Sequence, residues 1–283
     1  MSASPVRSFV QPGTGKTLKL GRHVPKVIYP HLHMHNYVKR TMPAPPASVN
    51  YSIAASSWLE NILGNDDLGD CLDAAAFHIG GVLLANAGQP IPFALSDVVK
   101  FYSATAGYVP GDASTDLGGT WQQTLAYWQS TGLTPGAHQI DGYVSVNPAD
   151  IEECQTAMWL FENLAIGMSL PDDYVNPMPS ASGFIWDKAG PPNPQNGHAV
   201  CGIASTTTTG VIIDSWGMKG LMTWAAIAKY CVPANGGELY TAFSRDAINN
   251  AMGVAPNGFD WTDLDADLGH LSSVFHYRPR PVA

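Results

Sequence analysis

Charge is scarce in this chain: Asp, Glu, Lys and Arg make up only 13% of its 283 residues, about half the usual share. The surface must then rely on Ser, Thr, Asn and Gln. Basic residues are scarcest between positions 41 and 187, where Lys100 stands alone against sixteen acids. A body this acidic repels a phosphate backbone, which argues against a nucleic acid substrate. The four cysteines, Cys71, Cys154, Cys201 and Cys231, form no CxxC pair and no spacing of a zinc finger or a small disulfide scaffold. They read as mostly free thiols. No stretch approaches the roughly 18 apolar residues that span a bilayer. The opening MSASPVRSFVQPGTGK also lacks the apolar run of a classical signal peptide. The expectation is a soluble protein without a membrane partner, cytoplasmic or virion-associated.

Glycine and proline, by contrast, are plentiful, at 28 and 22 residues, and imply many turns and irregular connections. The length suffices for one large domain or two lobes sharing a cleft. Residues 1–40 carry seven bases and no acid. Broken by Pro and Gly up to about Pro46, residues 1–45 read as a basic extended arm, with the alternating run from Val24 to Val38 as an edge strand. Beside so acidic a body, this arm is expected to lie over a cleft or across a lobe as an inhibitor or clamp, to grip another subunit, or to stay solvated. Gly13-Thr14-Gly15-Lys16 lacks the earlier glycine and flanking strand of a phosphate loop and reads as a turn.

The Ala-rich apolar run from Cys71 to Ala87 follows Asp70, a preferred N-cap residue, and predicts a buried helix starting at Cys71. Further helices are predicted over 96–106, 121–130 and 149–163. After Asn163 the pattern turns to short β-branched runs, LAIGMSL, HAVCGIAS and GVIIDSW, with a tetrathreonine turn between the last two. A thiol in the first turn of a helix has its thiolate favoured by unpaired N–H groups and the helix dipole. A nucleophile there needs a base in hydrogen-bond reach and a third group that fixes the base's tautomer. His198 and Asp214 lie on consecutive predicted strands, sixteen positions apart, and share a face if the hairpin register agrees.

NDDLGDCLDAAAFH (65–78) resembles the nucleophile segment of papain-like cysteine peptidases, NGHAVCGI (196–203) their histidine strand, and GVIIDSWG (210–217) their asparagine-Ser-Trp-Gly strand. The three occur in the family's order, with supporting matches at 45–51, at Gly118-Gly119 and at Gly132-Leu133, over roughly residues 45–245. The resemblance implies an α+β papain-like fold of two lobes. The helical lobe would span about 46–135 and the strand-rich lobe about 136–245, with residues 246–283 as a C-terminal extension. It also implies cofactor-free acyl transfer from a peptide or isopeptide amide. Cys71 would attack, His198 would relay the proton, Asp214 would hold His198, and Trp216 would shield that hydrogen bond. Asn65, with the Cys71 N–H, would hold the oxyanion, and Gly118 and Gly119 would bind substrate backbone.

Several positions depart from the family. Asn65 replaces Gln, one methylene shorter, which can cost up to roughly 10²–10³ in rate where the donor misses the developing charge. Asp214 replaces the usual Asn and supplies a stronger orienting charge. Leu72 stands in place of Trp, and Leu68 and Asp116 in place of a common disulfide, which fits a reducing compartment. The nearest likeness is to a divergent bacterial and phage branch with an N-D-x-L-G-D-C motif. Two other functions fit the same residues: a structural or virion-associated scaffold of this fold, and transglutaminase-like or amidase acyl transfer. His31, His33 and His35 alternate but lack an acidic or thiol companion, so no metal is expected there. His78, two helical turns after Cys71, reads as a packing histidine, and Cys201 as core. Residues 261–271 have helical spacing and suggest a helix packed outside a lobe.

Overall fold

The computed structural model describes residues 6–26, 30–244 and 259–274. Part of the run from Val24 to Val38 and most of the C-terminal extension (246–258 and 275–283) lie outside the described residues. Helix α1 (Cys71–Asn86) begins at Cys71 as expected, and α2 (Leu95–Ala106), α3 (Trp121–Thr131) and α4 (Ile151–Phe161) match the other predicted helices within two residues at each end. Their ends have local causes. Thr120 and Asp150 accept the N–H groups of Gln123 and Glu153 at the starts of α3 and α4. Gly107, with φ +79°, takes the left-handed turn that closes α2. Short helices α5 (Asp172–Val175) and α6 (Trp224–Tyr230) follow, and α7 (Trp261–Val274) fulfils the helical spacing near the C-terminus.

The strands are β1 (Arg7–Val10), β2 (Thr17–Leu20), β3 (Leu32–His33), β4 (Ser48–Asn50), β5 (Gly142–Ser145), β6 (Leu164–Ser169), β7 (Phe184–Trp186), β8 (Gly197–Thr206), β9 (Gly210–Ser215), β10 (Met218–Thr223) and β11 (Glu238–Phe243). β1 and β2 form an antiparallel hairpin, turned at the Gly13–Lys16 segment. The rest form a nine-stranded sheet in the order β3-β5-β11-β6-β8-β9-β10-β7, with β4 beside the end of β8. The edge strand expected in the arm is short. β3 holds two residues, pairs in parallel with β5, and gives way to a 3-10 turn over Met34–Asn36. His33 and His35 nevertheless stack, with ring centroids 5.5 Å apart, and the His31 ring lies tilted against His33 at 5.0 Å.

β8 is the hub of the architecture, because each of its faces supports a separate core. Ala199, Cys201 and Ile203 turn towards α1, α2 and α3 and join Cys71, Phe77, Phe101 and Trp121. Val200, with Val211 and Ile213 of β9, turns the other way, towards Met158 and Phe161 of α4 and Ile227 of α6. Leu18 and Leu20 of β2 are buried in that second core. The architecture is α+β with two lobes, one helical and one strand-rich, and the start of α1 lies where they meet. No helix among the described residues is long and apolar enough to cross a membrane.

Candidate active-site cleft

Cys71 is 2% exposed at the first turn of α1. The helix N-terminus favours its thiolate, but burial has the larger effect and pushes the thiol up to about 12, against the pull of the Gly21 and Ala199 backbone N–H groups. Asp70 occupies the expected N-cap position, yet its side chain makes no capping bond. It is fully buried. Burial, with Asp73 beside it, holds that carboxyl well above the usual range. Burial likewise raises Asp73 to about 7, although the Thr105 hydroxyl donates to it at 2.9 Å. Where the resemblance implied a lost disulfide, Asp116 ties the same segments together by accepting from the Gly69 N–H at 2.9 Å and the Tyr102 hydroxyl at 2.7 Å.

The structure does not bring His198 and Asp214 together. Cys201 pairs with Asp214 across β8 and β9, and a bulge between Gly202 and Ala204 shifts the rest of the hairpin by one residue. Directly paired residues share a face, and His198 is an odd number of positions from Cys201, so His198 and Asp214 point to opposite sides of the sheet. The partner of His198 is the next residue along β9: its Nε2 lies 2.8 Å from Ser215 Oγ. The Trp216 indole stacks on the imidazole, with centroids 4.2 Å apart and planes 14° from parallel, and so covers the His198–Ser215 bond. His198 is buried, its Nδ1 has no hydrogen-bond partner, and burial lowers its pKa to about 3. The ring is neutral.

Asp214 instead faces α1, where its Oδ1 lies 3.2 Å from Nδ1 of His78. Cys201 belongs to the same buried group and not simply to the apolar core: donor atoms of His78, Cys201 and Asp214 lie within 4.8 Å of one another. Burial raises the Asp214 carboxyl well above its usual range and lowers His78 to about 4. His78 therefore has a polar partner that its reading as a packing residue did not include.

Every other expected cleft residue meets the arm. The Lys19 N–H donates to Asn65 O at 2.9 Å, and Trp216 Nε1 donates to Lys19 O at 3.2 Å. Gly119 N–H donates to Gly21 O at 2.9 Å, His23 N–H to Gly119 O at 2.7 Å, and Arg22 N–H to Gly197 O at 3.1 Å. The fit is tight enough to require glycine: a Cβ on Gly21 would sit 1.8 Å from Gly69 O, and one on Gly118 1.8 Å from Gly21 O. Charged side chains fix both ends of this stretch. Lys19 Nζ is 3.1 Å from Asp116, and the buried Arg22 guanidinium donates to Glu238 Oε1 at 2.6 and 2.9 Å. Asn65 lines a water-sized cavity with Cys71, but its amide already donates to Leu68 O at 3.0 Å. The arm was expected to lie over a cleft, and residues 19–23 are its part that does so; Ser215 is the residue that motif reasoning missed. The Ser of GVIIDSWG was in view, and a hairpin shifted by one residue would have selected it.

No protein-family model matches the chain, and no curated protein resembles it in sequence. Solved structures do resemble it. Xylellain, a cysteine protease from Xylella fastidiosa, superposes with a TM-score of 0.56 at 14% identity, over 84% of this chain and 98% of its own. Digestive procathepsin L 3 of the Tenebrio molitor larval midgut gives 0.54 at 14% identity, over 78% and 75%. The ragweed pollen allergen Amb a 11, a cysteine protease solved in its proform, gives 0.51 at 13% identity, over 73% and 69%. At this identity the likeness is one of fold, and the fold of this chain is that of the papain-like cysteine proteases.

Proposed function

We propose that the protein is a papain-like cysteine hydrolase that acts on peptide or isopeptide amide bonds and that its described conformation is latent. The observation that carries this reading is the peptide already in the cleft. Residues 19–23 run extended through it, bonded by their backbone to Gly119 and Gly197, with the Cys71 thiol against Gly21. A groove that holds one extended chain by main-chain hydrogen bonds, with side-chain anchors at either end, has the form of a peptide-binding site. In this reading Cys71 is the nucleophile and His198 the base. Ser215, where Asp214 was expected, holds His198 Nε2. Trp216 keeps water from that bond, and Gly118 and Gly119 bind substrate backbone. The arm must leave before His198 and Cys71 can share a proton, because burial keeps both groups neutral. Two of the similar structures are of a procathepsin and a proform, which supports a latent form here. An acidic body next to the cleft favours basic substrates.

A scaffold without catalysis is the second reading, favoured by the unpartnered His198 Nδ1 and the engaged Asn65 amide. Labelling with an epoxide cysteine-protease probe, read by intact mass, separates the two. Gly21→Ala cannot seat the arm and is expected to gain a single adduct at Cys71, absent in Cys71→Ala and strongly slowed by His198→Ala. If Cys71 in Gly21→Ala reacts no faster than Cys154, Cys201 and Cys231, the hydrolase reading fails and the scaffold takes its place.

A further inference from the structure

We propose that His78, Cys201 and Asp214 form a metal site for one Zn²⁺ ion, buried between α1 and the sheet. The three donor atoms lie within 4.8 Å of one another, on residues no more than 3% exposed. Proton placement adds an argument independent of proximity. His78 Nε2 is 2.9 Å from the Asn61 carbonyl oxygen, which can only accept, so Nε2 carries the proton. In the neutral ring Nδ1 is then a lone pair, and it faces Asp214 Oδ1 at 3.2 Å. A carboxyl oxygen facing a lone pair needs a proton or a cation between them, and the Cys201 thiol, within 4.8 Å of both, is the third donor that a cation uses.

Thiolate, imidazole and carboxylate together are a donor set that suits zinc, and the two anionic ligands neutralise a divalent cation in a buried position. The contact from His78 to the Asn61 carbonyl is the outer-shell bond that fixes a ligating histidine's tautomer. Zinc prefers four ligands. The water-sized cavity lined by His78, Asp214, Cys71 and Ser215 leaves room for about one water as the fourth. Binding releases the Cys201 thiol proton, and any proton held by Asp214, to solvent.

The test uses the full-length protein and does not depend on hydrolase activity, so it stands or falls apart from the preceding proposal. Wild type desalted after equilibration with Zn²⁺ is expected to retain about one equivalent by elemental analysis. Cys201→Ala and His78→Gln are expected to reduce affinity by more than about tenfold. Cobalt substitution is expected to give a thiolate-to-metal charge-transfer band that survives Cys71→Ala and Cys154→Ala and disappears in Cys201→Ala. Circular dichroism of each variant checks folding, and Cys201→Val fills the site with an apolar side chain if Cys201→Ala does not fold. No retained zinc, no cobalt band and a melting temperature unmoved by Zn²⁺ or chelator would overturn the proposal, leaving Asp214 protonated and donating to His78. Loss of the band in Cys71→Ala would overturn it as well, because the ion would then belong to the cleft.

Discussion

The two faces of the β8–β9 hairpin hold similar groups and cover them differently. One face presents His198 and Ser215 beneath Trp216, and segment 19–23 of the arm closes the cleft there. The other presents Cys201 and Asp214, buried against His78 in the middle of α1. Apolar packing holds the second cover, and backbone bonds with two ion pairs hold much of the first. Opening the second means dismantling a core, whereas the first can be released by a few local changes. Burial disfavours the charged forms of the titratable groups on both faces, but only on the cleft face is that state reversible without unfolding the helical lobe.

The largest effect expected from breaking this contrast comes from Arg22. Arg22→Ala leaves Glu238 buried, 7% exposed and without its cation. Removing one partner of a buried pair costs about 3–5 kcal/mol, measured here by chemical denaturation. The same variant should speed probe labelling of Cys71 and leave Cys201 unlabelled. A loss below about 1 kcal/mol, the range of an exposed pair, would mean that the arm is not fastened there in solution.

The two histidine partnerships give the next effect. In the Gly21→Ala background, His198→Ala is expected to slow Cys71 alkylation at neutral pH by about 10²–10⁴-fold, the usual contribution of a positioned base. Asp214→Asn should change the rate by less than about tenfold, because its side chain lies on the other face. Equal losses in the two variants would place Asp214 with His198 after all and remove the register shift from the account.

Much of this structure is legible in the sequence where the signal is local. Gly69-Asp70 followed by an apolar run marks the start of α1 at Cys71, and the helical patterns further on place α2, α3 and α4 within two residues at each end. The β-branched runs yield β6, β8 and β9, with the threonine turn between the last two. What is not legible is register and long-range placement. The bulge between Gly202 and Ala204 leaves no mark in composition, yet its one-residue shift decides whether Asp214 meets His198 or His78. Lys19 and Arg22 read as arm charges, but their partners Asp116 and Glu238 are 97 and 216 positions away. Asp70 shows the limit of a propensity. The cap position was right, but burial left its side chain without a capping bond.

The smallest effect sharpens the contrast from the sealed side. Asp73, in the first turn of α1, is 1% exposed and burial raises its carboxyl to about 7 from an ordinary 3.8. Between those values the folded chain holds a proton that the unfolded chain has released, so stability falls as pH rises from about 4 to 7 and the penalty is complete above 7. Asp73→Asn keeps an oxygen to accept the Thr105 hydroxyl and carries no charge at any pH. Its melting temperature should match wild type near pH 4 and exceed it by a few degrees at pH 8. A difference independent of pH would mean that Asp73, and with it the first turn of α1, is solvated.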